Sequence, residues 1–480
     1  MNTTTEYVRA YIDGEWRDGA GGKAEYTSAF DGERLGHFTI CTPDDVQAAV
    51  EAARAAQPAW AAMSLVDRVD LFYKAYEICL EKNEAIAAAI TKEMGKTIHE
   101  SREEMVQYAA GHFRRAAEDM LRFRGQTLPN SETRTNTKRT LVMNYPLGVV
   151  GVISPFNFPV DIAAIGLTYA LVSGNTVVWK PSEYCPGSTA LFAEVLDEAG
   201  FPPGVFNFLP GYGDAGAAIV EHDDVNSIFF TGSTKVGLDI AAKAGLKRTL
   251  LELGGNGPII VHEDADVDRA VDATVLGAFY MAGQVCTAAE RVLVHEKVHD
   301  EFVDRLVERM VQLKVGDPSD ESTDMGPLCN DNVLRMVTGQ VEDARSKGAQ
   351  VIQHGTVTGR LYPPTVLVGV TNDMEIARKE TFGPVAPIIK FSTLDEAIEI
   401  ANNTEFGLNA AAFTDSLQDA WQFIDRLQHG TVLINESTNY WDQLAPFGGA
   451  KSSGVGRELS SWCLDAFTES KTVVFDIGGR

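Results

Sequence analysis

Cys286 stands in the run FYMAGQVCTAAERV, residues 279–292, behind a Gly-Gln pair and in small, mostly uncharged company. A thiolate attacks well, but a free thiol of pKa about 8.5 is only a few per cent ionised at neutral pH. A cysteine nucleophile therefore needs a base, an oxyanion donor and something to take electrons or a leaving group. Glu252 lies in the apolar run LLELGG (250–255). Such surroundings raise a carboxyl pKa and suit a general base; the alternative is a strand-end glutamate pointing to water. Asn157, in PFNFP (155–159), sits between two aromatics. It can donate its NH₂ to an oxyanion or serve as a turn asparagine.

Two glycine patterns compete for a dinucleotide. Gly211-Tyr-Gly213-Asp-Ala-Gly216 matches G-x-G-x-x-G between a strand and a helix. Phe230-Thr-Gly-Ser-Thr-Lys-Val-Gly237 is also strand-to-helix and offers backbone N–H groups to phosphate. Either can equally be a tight turn. Lys180 and Glu183 follow the strand ending in Val178-Trp179, at the usual ligand edge of an open α/β sheet; solvated surface charges are the plain alternative. His295-Glu-Lys-Val-His299 fits the zinc pattern H-E-x-x-H. That pattern works on a continuous helix, whereas His295 ends a strand-like run, so no metal is expected.

The elements that must hold these residues follow from hydrophobic period. Tyr7–Trp16 alternates before Asp18-Gly19, a strand and turn. Thr42-Pro43 opens a helix with Val46, Val50 and Ala53 at helical spacing. Another helix runs Ala85–Met94 and stops at Gly95, and Ser101–Glu104 reads as a capping box for a helix to about Phe123. Arg139–Tyr145 is extended. From Leu147 onward, apolar runs of strand length alternate with helical stretches in two sets, the signature of βαβ units with parallel strands. Gly254-Gly255 marks a hinge between the sets, and Lys471–Phe475 is a final lone strand.

The chain has 480 residues, enough for about three domains of ordinary size. Its 45% hydrophobic and 22% charged content is that of a globular protein. With 67 acidic against 41 basic residues the formal charge is −26, which repels nucleic-acid phosphate. Six cysteines without a paired framework point to a reduced cytoplasmic setting. There is no signal-peptide pattern, and no apolar run is long enough for a membrane span.

Together the runs PFNFP, GNTVVWKPSE (174–183), GFPPGVFNFLPG (200–211), FTGSTKVG (230–237), LELGG (251–255), GQVCTAAERV (283–292), ETFGPV (380–385), EFGLNA (405–410) and PFGGAKSSGVGRE (446–458) resemble the aldehyde dehydrogenase superfamily. The resemblance implies an α/β fold with a Rossmann-like NAD-binding domain (1–127 and 147–254), an α/β catalytic domain (255–446) and a small β oligomerisation arm (128–146 and 447–480). It implies that Cys286 is the nucleophile, Asn157 the oxyanion donor and Glu252 the base for hydrolysis. Ser154, Phe156, Lys180, Ser182, Glu183, Gly213, Phe230, Gly232, Ser233, Val236, Leu253, Glu380 and Phe382 would hold NAD, with NADP possible. The family places the pyrophosphate on 232–237 and leaves 211–216 nearer the adenine. A carboxylate at Glu183 suits a ribose hydroxyl and repels a 2′-phosphate.

The aldehyde entrance would involve Arg114, Phe158, Tyr280, Thr287, Tyr440 and Trp441. Arg114 either faces the substrate, where members acting on phosphorylated or carboxylated aldehydes carry arginine, or pairs with Glu118 one turn on. Val285 stands where the non-phosphorylating glyceraldehyde-3-phosphate members have arginine, and Tyr280 near where semialdehyde-specific members do. A small polar or anionic aldehyde is the expected substrate, an aromatic aldehyde the alternative. A coenzyme A-acylating or non-catalytic member is the rival class, and a homodimer or homotetramer the expected assembly.

Overall fold

Strands buried on both faces need helices above and below, and that requirement shapes both large sheets. In the first, Val149–Ile153, Thr176–Lys180 and Ser227–Thr231 are buried throughout. The computed structural model describes residues 3–131 and 137–478. It contains an eight-stranded sheet in the spatial order Gly454–Val455, Arg248–Glu252, Ser227–Thr231, Val149–Ile153, Thr176–Lys180, Phe206–Phe208, Ala10–Ile12, Glu15–Arg17. Its five central strands are parallel, with antiparallel partners at both edges. The chain winds one way from Val149–Ile153 and later returns to pair Ser227–Thr231 on the other side. The carboxyl ends of these two neighbours form a topological switch point, where open α/β sheets bind ligands.

A seven-stranded sheet follows, in the order Gln350–Gln353, Thr365–Val368, Val385–Phe391, Ala289–His295, Gly257–Val261, Asn409–Phe413, Thr431–Ile434. Only Gln350–Gln353 is antiparallel among these. Gln126–Leu128, Lys138–Pro146 and Thr468–Asp476 form a separate antiparallel sheet. Residues 132–136, inside the expected arm, lie outside the described residues. Among the described residues no helix is long and apolar enough to cross a membrane.

Three local expectations shift. The first hairpin turns at Asp13-Gly14, with φ of 54° and 83°, because Ala10–Ile12 pairs with Glu15–Arg17; Asp18-Gly19 lies beyond the second strand. The helix ending at Gly95 begins at Leu65, capped by Ser64. The next helix is capped one turn earlier than read, by the Thr97–Glu100 box. The S-x-x-E pattern fits two registers, and Glu104 is engaged elsewhere.

Glu104 is buried and paired with buried Lys96. Its Oε1 accepts from the backbone N–H groups of Val160 (3.0 Å) and Asp161 (2.9 Å), at the start of the helix Asp161–Val172. Lys96 Nζ also lies 4.1 Å from the centre of the Phe158 ring. The pair thus anchors the loop that carries Asn157. At Glu104–Ala109 the helix widens to i→i+5 bonding, a distortion frequent at functional sites. Removing one partner of a buried ion pair costs about 3–5 kcal/mol. Lys96→Ala should lower stability by that amount in chemical denaturation; a loss under about 1 kcal/mol would show that the pair organises little.

Candidate active site

The carboxyl ends of the central strands in the first sheet open into a cavity of about 480 Å³. Ser154, Phe156 and Asn157 reach it from Val149–Ile153, and Lys180, Ser182 and Glu183 from Thr176–Lys180. Phe230, Gly232, Ser233 and Val236 follow Ser227–Thr231 into the helix Thr234–Lys243. Leu253, Glu380 and Phe382 close the far side. Gly213 and Gly216 line the same cavity, so the two glycine patterns serve one site. A Cβ at Gly213 would meet no protein atom within 4 Å, which leaves open space against that helix start. At Gly232 it would strike the Phe230 ring at 2.6 Å.

This cavity fits a dinucleotide. Two helix N-termini face it, which favours pyrophosphate. Carboxylates suited to ribose hydroxyls stand in two places. Glu183 pairs with Lys180 Nζ at 3.2 Å. Glu380 accepts from the Gly255 N–H at 3.0 Å and is pushed up to about 7 by burial. The Glu380 loop is fixed by Glu290, whose carboxylate accepts from the N–H groups of Thr381 (2.8 Å) and Phe382 (2.7 Å). Phe382 sits there at φ 52°, a left-handed conformation held by those bonds. Glu290 was missed in the sequence; an acid inside the buried strand Ala289–His295 was the available signal.

Cys286 is the one residue common to this cavity and a smaller second one, among the described residues. The other five cysteines are buried, and Cys286 alone is partly exposed. Its loop is pinned from several sides. Met281, Ala282 and Gly283 take positive φ, and a Cβ on Gly283 would lie 2.1 Å from the Gly383 oxygen. The Met281 N–H donates to Glu100 at 2.7 Å. The Gln284 side chain donates to the Met281 carbonyl (3.1 Å) and accepts from the Cys329 N–H (2.8 Å). Asn157, buried, donates through Nδ2 to the Gln284 carbonyl at 3.1 Å, which holds its amide against the cysteine loop and leaves one N–H free for an oxyanion. Burial pushes the Cys286 thiol well up, and Glu252, Glu458 and Glu380 push it further.

Glu252 ends the strand Arg248–Glu252 and is 2% exposed. Burial, then Glu458, pushes its pKa well above the ordinary carboxyl value, against a smaller opposing effect of Arg457. Gly448, at φ 156°, makes room for it: a Cβ there would lie 2.6 Å from Glu252 Oε1. Burial thus favours the protonated form of both the acid and the thiol.

The second cavity, about 50 Å³, is bounded by aromatic Tyr108, Phe158, Trp441 and Phe447, aliphatic Ile162, Ile165 and Leu459, and polar Asp161, Gln443 and Glu458. Trp441 meets Phe158 and Tyr108 edge-on, at centroid distances of 5.9 and 6.4 Å. Phe158 and Trp441 were expected at the aldehyde entrance; the other four expected residues do not line it. The Arg114 side chain is 59% exposed and donates to Glu118 at 2.8 Å, the one-turn pairing. Tyr280 sits behind Trp441 with its hydroxyl donating to Glu103 at 3.0 Å. Thr287 is buried and donates to Asn439 at 2.8 Å. Tyr440 is half exposed, outside the wall. Tyr108 and Asp161 were missed, although an aspartate opening the apolar stretch from Asp161 to Val172 was visible.

The H-E-x-x-H pattern is divided between elements: His295 ends a strand and His299 starts the helix His299–Met310, so the two do not share a helical face. Among the described residues no group of three His, Cys, Asp or Glu side chains is placed to hold a metal.

Comparison with known proteins bears on the whole chain. The model of the aldehyde dehydrogenase family matches residues 16–473. An NADP-dependent glyceraldehyde-3-phosphate dehydrogenase from Streptococcus equinus is 38% identical over 476 residues, covering 98% of this chain and 99% of the relative. A betaine aldehyde dehydrogenase from Rhizobium leguminosarum bv. trifolii is 39% identical over 478 residues, covering 98% and 97%. The solved NAD⁺ complex of an aldehyde dehydrogenase from Bacillus cereus superposes with a TM-score of 0.95 at 36% identity, over 98% of this chain and 97% of that one. Agreement of this extent, in sequence and in fold, places the chain in the aldehyde dehydrogenase family, oxidoreductases that convert aldehydes to carboxylic acids with NAD or NADP.

Proposed function

We propose that Cys286 is the nucleophile of a hydrolytic aldehyde dehydrogenase, with Asn157 as oxyanion donor and Glu252 as general base. The observation that carries this reading is the position of Cys286 as the one described residue shared by the dinucleotide-sized cavity and the small apolar one. Ser154, Phe156, Lys180, Ser182, Glu183, Gly213, Phe230, Gly232, Ser233, Val236, Leu253, Glu380 and Phe382 would hold the cofactor, all of them lining the larger cavity. When bound, NAD(P)⁺ supplies the hydride acceptor.

The side chains of this chain do the rest. Cys286 Sγ bonds to the aldehyde carbon while its proton passes to a base. The carbonyl oxygen takes up the charge, to be met by Asn157 Nδ2 and the Cys286 backbone N–H. An oxyanion donor of this kind is worth about 10²–10³ in rate. Once hydride has left the carbon, the acyl group remains on Cys286 as a thioester. Glu252 takes a proton from water, the resulting hydroxide adds to the acyl carbon, and the C–S bond breaks as Glu252 returns that proton to the sulfur, which releases acid and thiol. Hydrolysis rather than transfer to coenzyme A fits a buried acid within reach of the thiol.

The small cavity supports a short aldehyde. At about 10–15 Å³ for each water-sized group, 50 Å³ holds roughly three to five. The two relatives are named for glyceraldehyde-3-phosphate and for betaine aldehyde, so family membership leaves the substrate's tail open. In this reading residues 1–127 and 147–254 form the cofactor domain and 255–446 the catalytic domain. Residues 128–146 and 447–480 form the bridging segments, although Gly454–Val455 pairs into the first sheet. The sheet containing Lys138–Pro146 and Thr468–Asp476 exposes Met143, Val474 and Phe475, which suits an arm joining subunits into a dimer or a dimer of dimers.

Cys286→Ala should lower kcat by at least about 10³-fold while dinucleotide binding persists; substantial turnover in that variant would defeat the mechanism. Glu252→Gln should release about one equivalent of reduced cofactor in a burst and then stall. An absent burst would assign Glu252 to thiol activation instead. Because the Glu252 carboxyl is raised, it is protonated and idle below its pKa. Steady-state turnover limited by hydrolysis should therefore climb with pH well above the usual carboxylate range, and a flat profile from pH 5 to 8 would contradict this. Glu183→Ser should shift the NADP/NAD ratio of kcat/KM towards NADP by roughly tenfold or more; an unchanged ratio would remove Glu183 from the ribose site.

A further inference from the structure

The small cavity is walled almost entirely by apolar atoms, and the few polar residues along it include no cation. Asp161 lines it, as do Glu458 and Gln443, and no arginine or lysine does. Glu458 is 4% exposed and its Oε2 has no partner, and Gln443 Oε1 is likewise buried and unpartnered, among the described residues. Neither Lys96 nor Arg115 lines the wall. Lys96 pairs with Glu104 and lies over the Phe158 ring. Arg115 donates to the Tyr108 carbonyl at 3.0 Å.

His112 does not cancel the charge on Asp161. Its Nε2 lies 2.8 Å from Asp161 Oδ1, while its Nδ1 is buried without a partner. A neutral ring, protonated on Nε2, donates to the carboxylate and leaves only an unpaired acceptor. A charged ring would bury an unpaired N–H donor, which costs more. Burial of the ring pushes its pKa down, in the same direction. Asp161 is also the first residue of the helix Asp161–Val172, where the helix dipole favours a negative charge. The pocket beside Cys286 therefore sets one carboxylate, Asp161, among the aromatic rings of Tyr108, Phe158 and Trp441.

We propose that Asp161 is the specificity-determining residue of the aldehyde pocket, selecting short aldehydes whose tail carries a hydrogen-bond donor, ammonium above hydroxyl, and rejecting carboxylated, phosphorylated or sulfonated ones. This rests on the assignment of Cys286 as nucleophile. A tail ammonium gains Asp161 and the aromatic faces, which attract cations. A tail anion meets a like charge, and Arg115, the cation that acts on Asp161, does not line the cavity.

The test compares kcat/KM for four aldehydes of matched length: 3-aminopropanal, 3-hydroxypropanal, propanal and malonate semialdehyde. Wild-type enzyme should favour 3-aminopropanal over malonate semialdehyde by at least about tenfold, with 3-hydroxypropanal between. Asp161→Asn should bring that ratio towards one, and Asp161→Glu should restore its direction. A wild-type preference for malonate semialdehyde, or a ratio unchanged in Asp161→Asn, would overturn the proposal. Should Asp161→Asn not fold, the wild-type order decides alone, and equal rates for the charged pair would also overturn it. Failure to oxidise even propanal in a Cys286-dependent way would instead strike the catalytic reading, so the two failures are distinguishable.

Discussion

Four residues, Leu253–Asn256, carry the chain from the first sheet into the interior of the second, and the site depends on how tightly that link is held. Gly255 passes so close to the cysteine loop that a Cβ would lie 2.0 Å from the Cys286 carbonyl oxygen. At Gly254 a Cβ would lie 2.9 Å from both oxygens of Glu380. Neither glycine takes a positive φ, so the requirement is close approach rather than backbone freedom. The glycine pair expected as a hinge acts as a clamp. It sets the spacing between Glu252 on one sheet, Cys286 before a strand of the other and the Glu380 loop. A side chain at Gly255 would push against the Cys286 loop, and one at Gly254 against the Glu380 carboxylate.

Within that clamp, electrostatics favour protons held in place. Glu252, Glu290, Glu380 and Glu458 are all raised, each chiefly by burial, in a chain of formal charge −26. Taking a carboxylate out of water without a partner is costlier than leaving it protonated. Glu252, Glu458 and Glu380 also raise the Cys286 thiol, so the buried cluster favours its protonated forms.

The two α/β sets were legible because parallel strands buried on both faces are short apolar runs bounded by turns, as at Val149–Ile153 and Gly257–Val261. Registers near the N-terminus were less so. Asp13-Gly14 and Asp18-Gly19 are equally good turn signals, and only pairing of the flanking strands decides between them. Thr97–Glu100 and Ser101–Glu104 both satisfy the capping pattern, and the burial of Glu104 with Lys96, which no local pattern reveals, selects the first. The cofactor wall was readable because its residues follow strand ends, a position that local sequence exposes.

The aldehyde pocket obeys another logic. Its wall is drawn from a distorted helix at Tyr108, a loop and helix start at Phe158–Ile165, and two late segments at Trp441–Phe447 and Glu458-Leu459. No spacing rule links these, and Arg114, the residue that a linear reading places at the entrance, points out to Glu118. Specificity here is nevertheless not independent of the chemistry. Asn157 and Asp161 stand four residues apart, one on a loop and the other at the start of the helix that follows it, and a single carboxylate, Glu104, holds that junction through the N–H groups of Val160 and Asp161. Asn157 and Asp161 thus share one anchor. Displacing Glu104 would move both, so the tail can be selected only within the geometry that keeps Asn157 against the Cys286 loop.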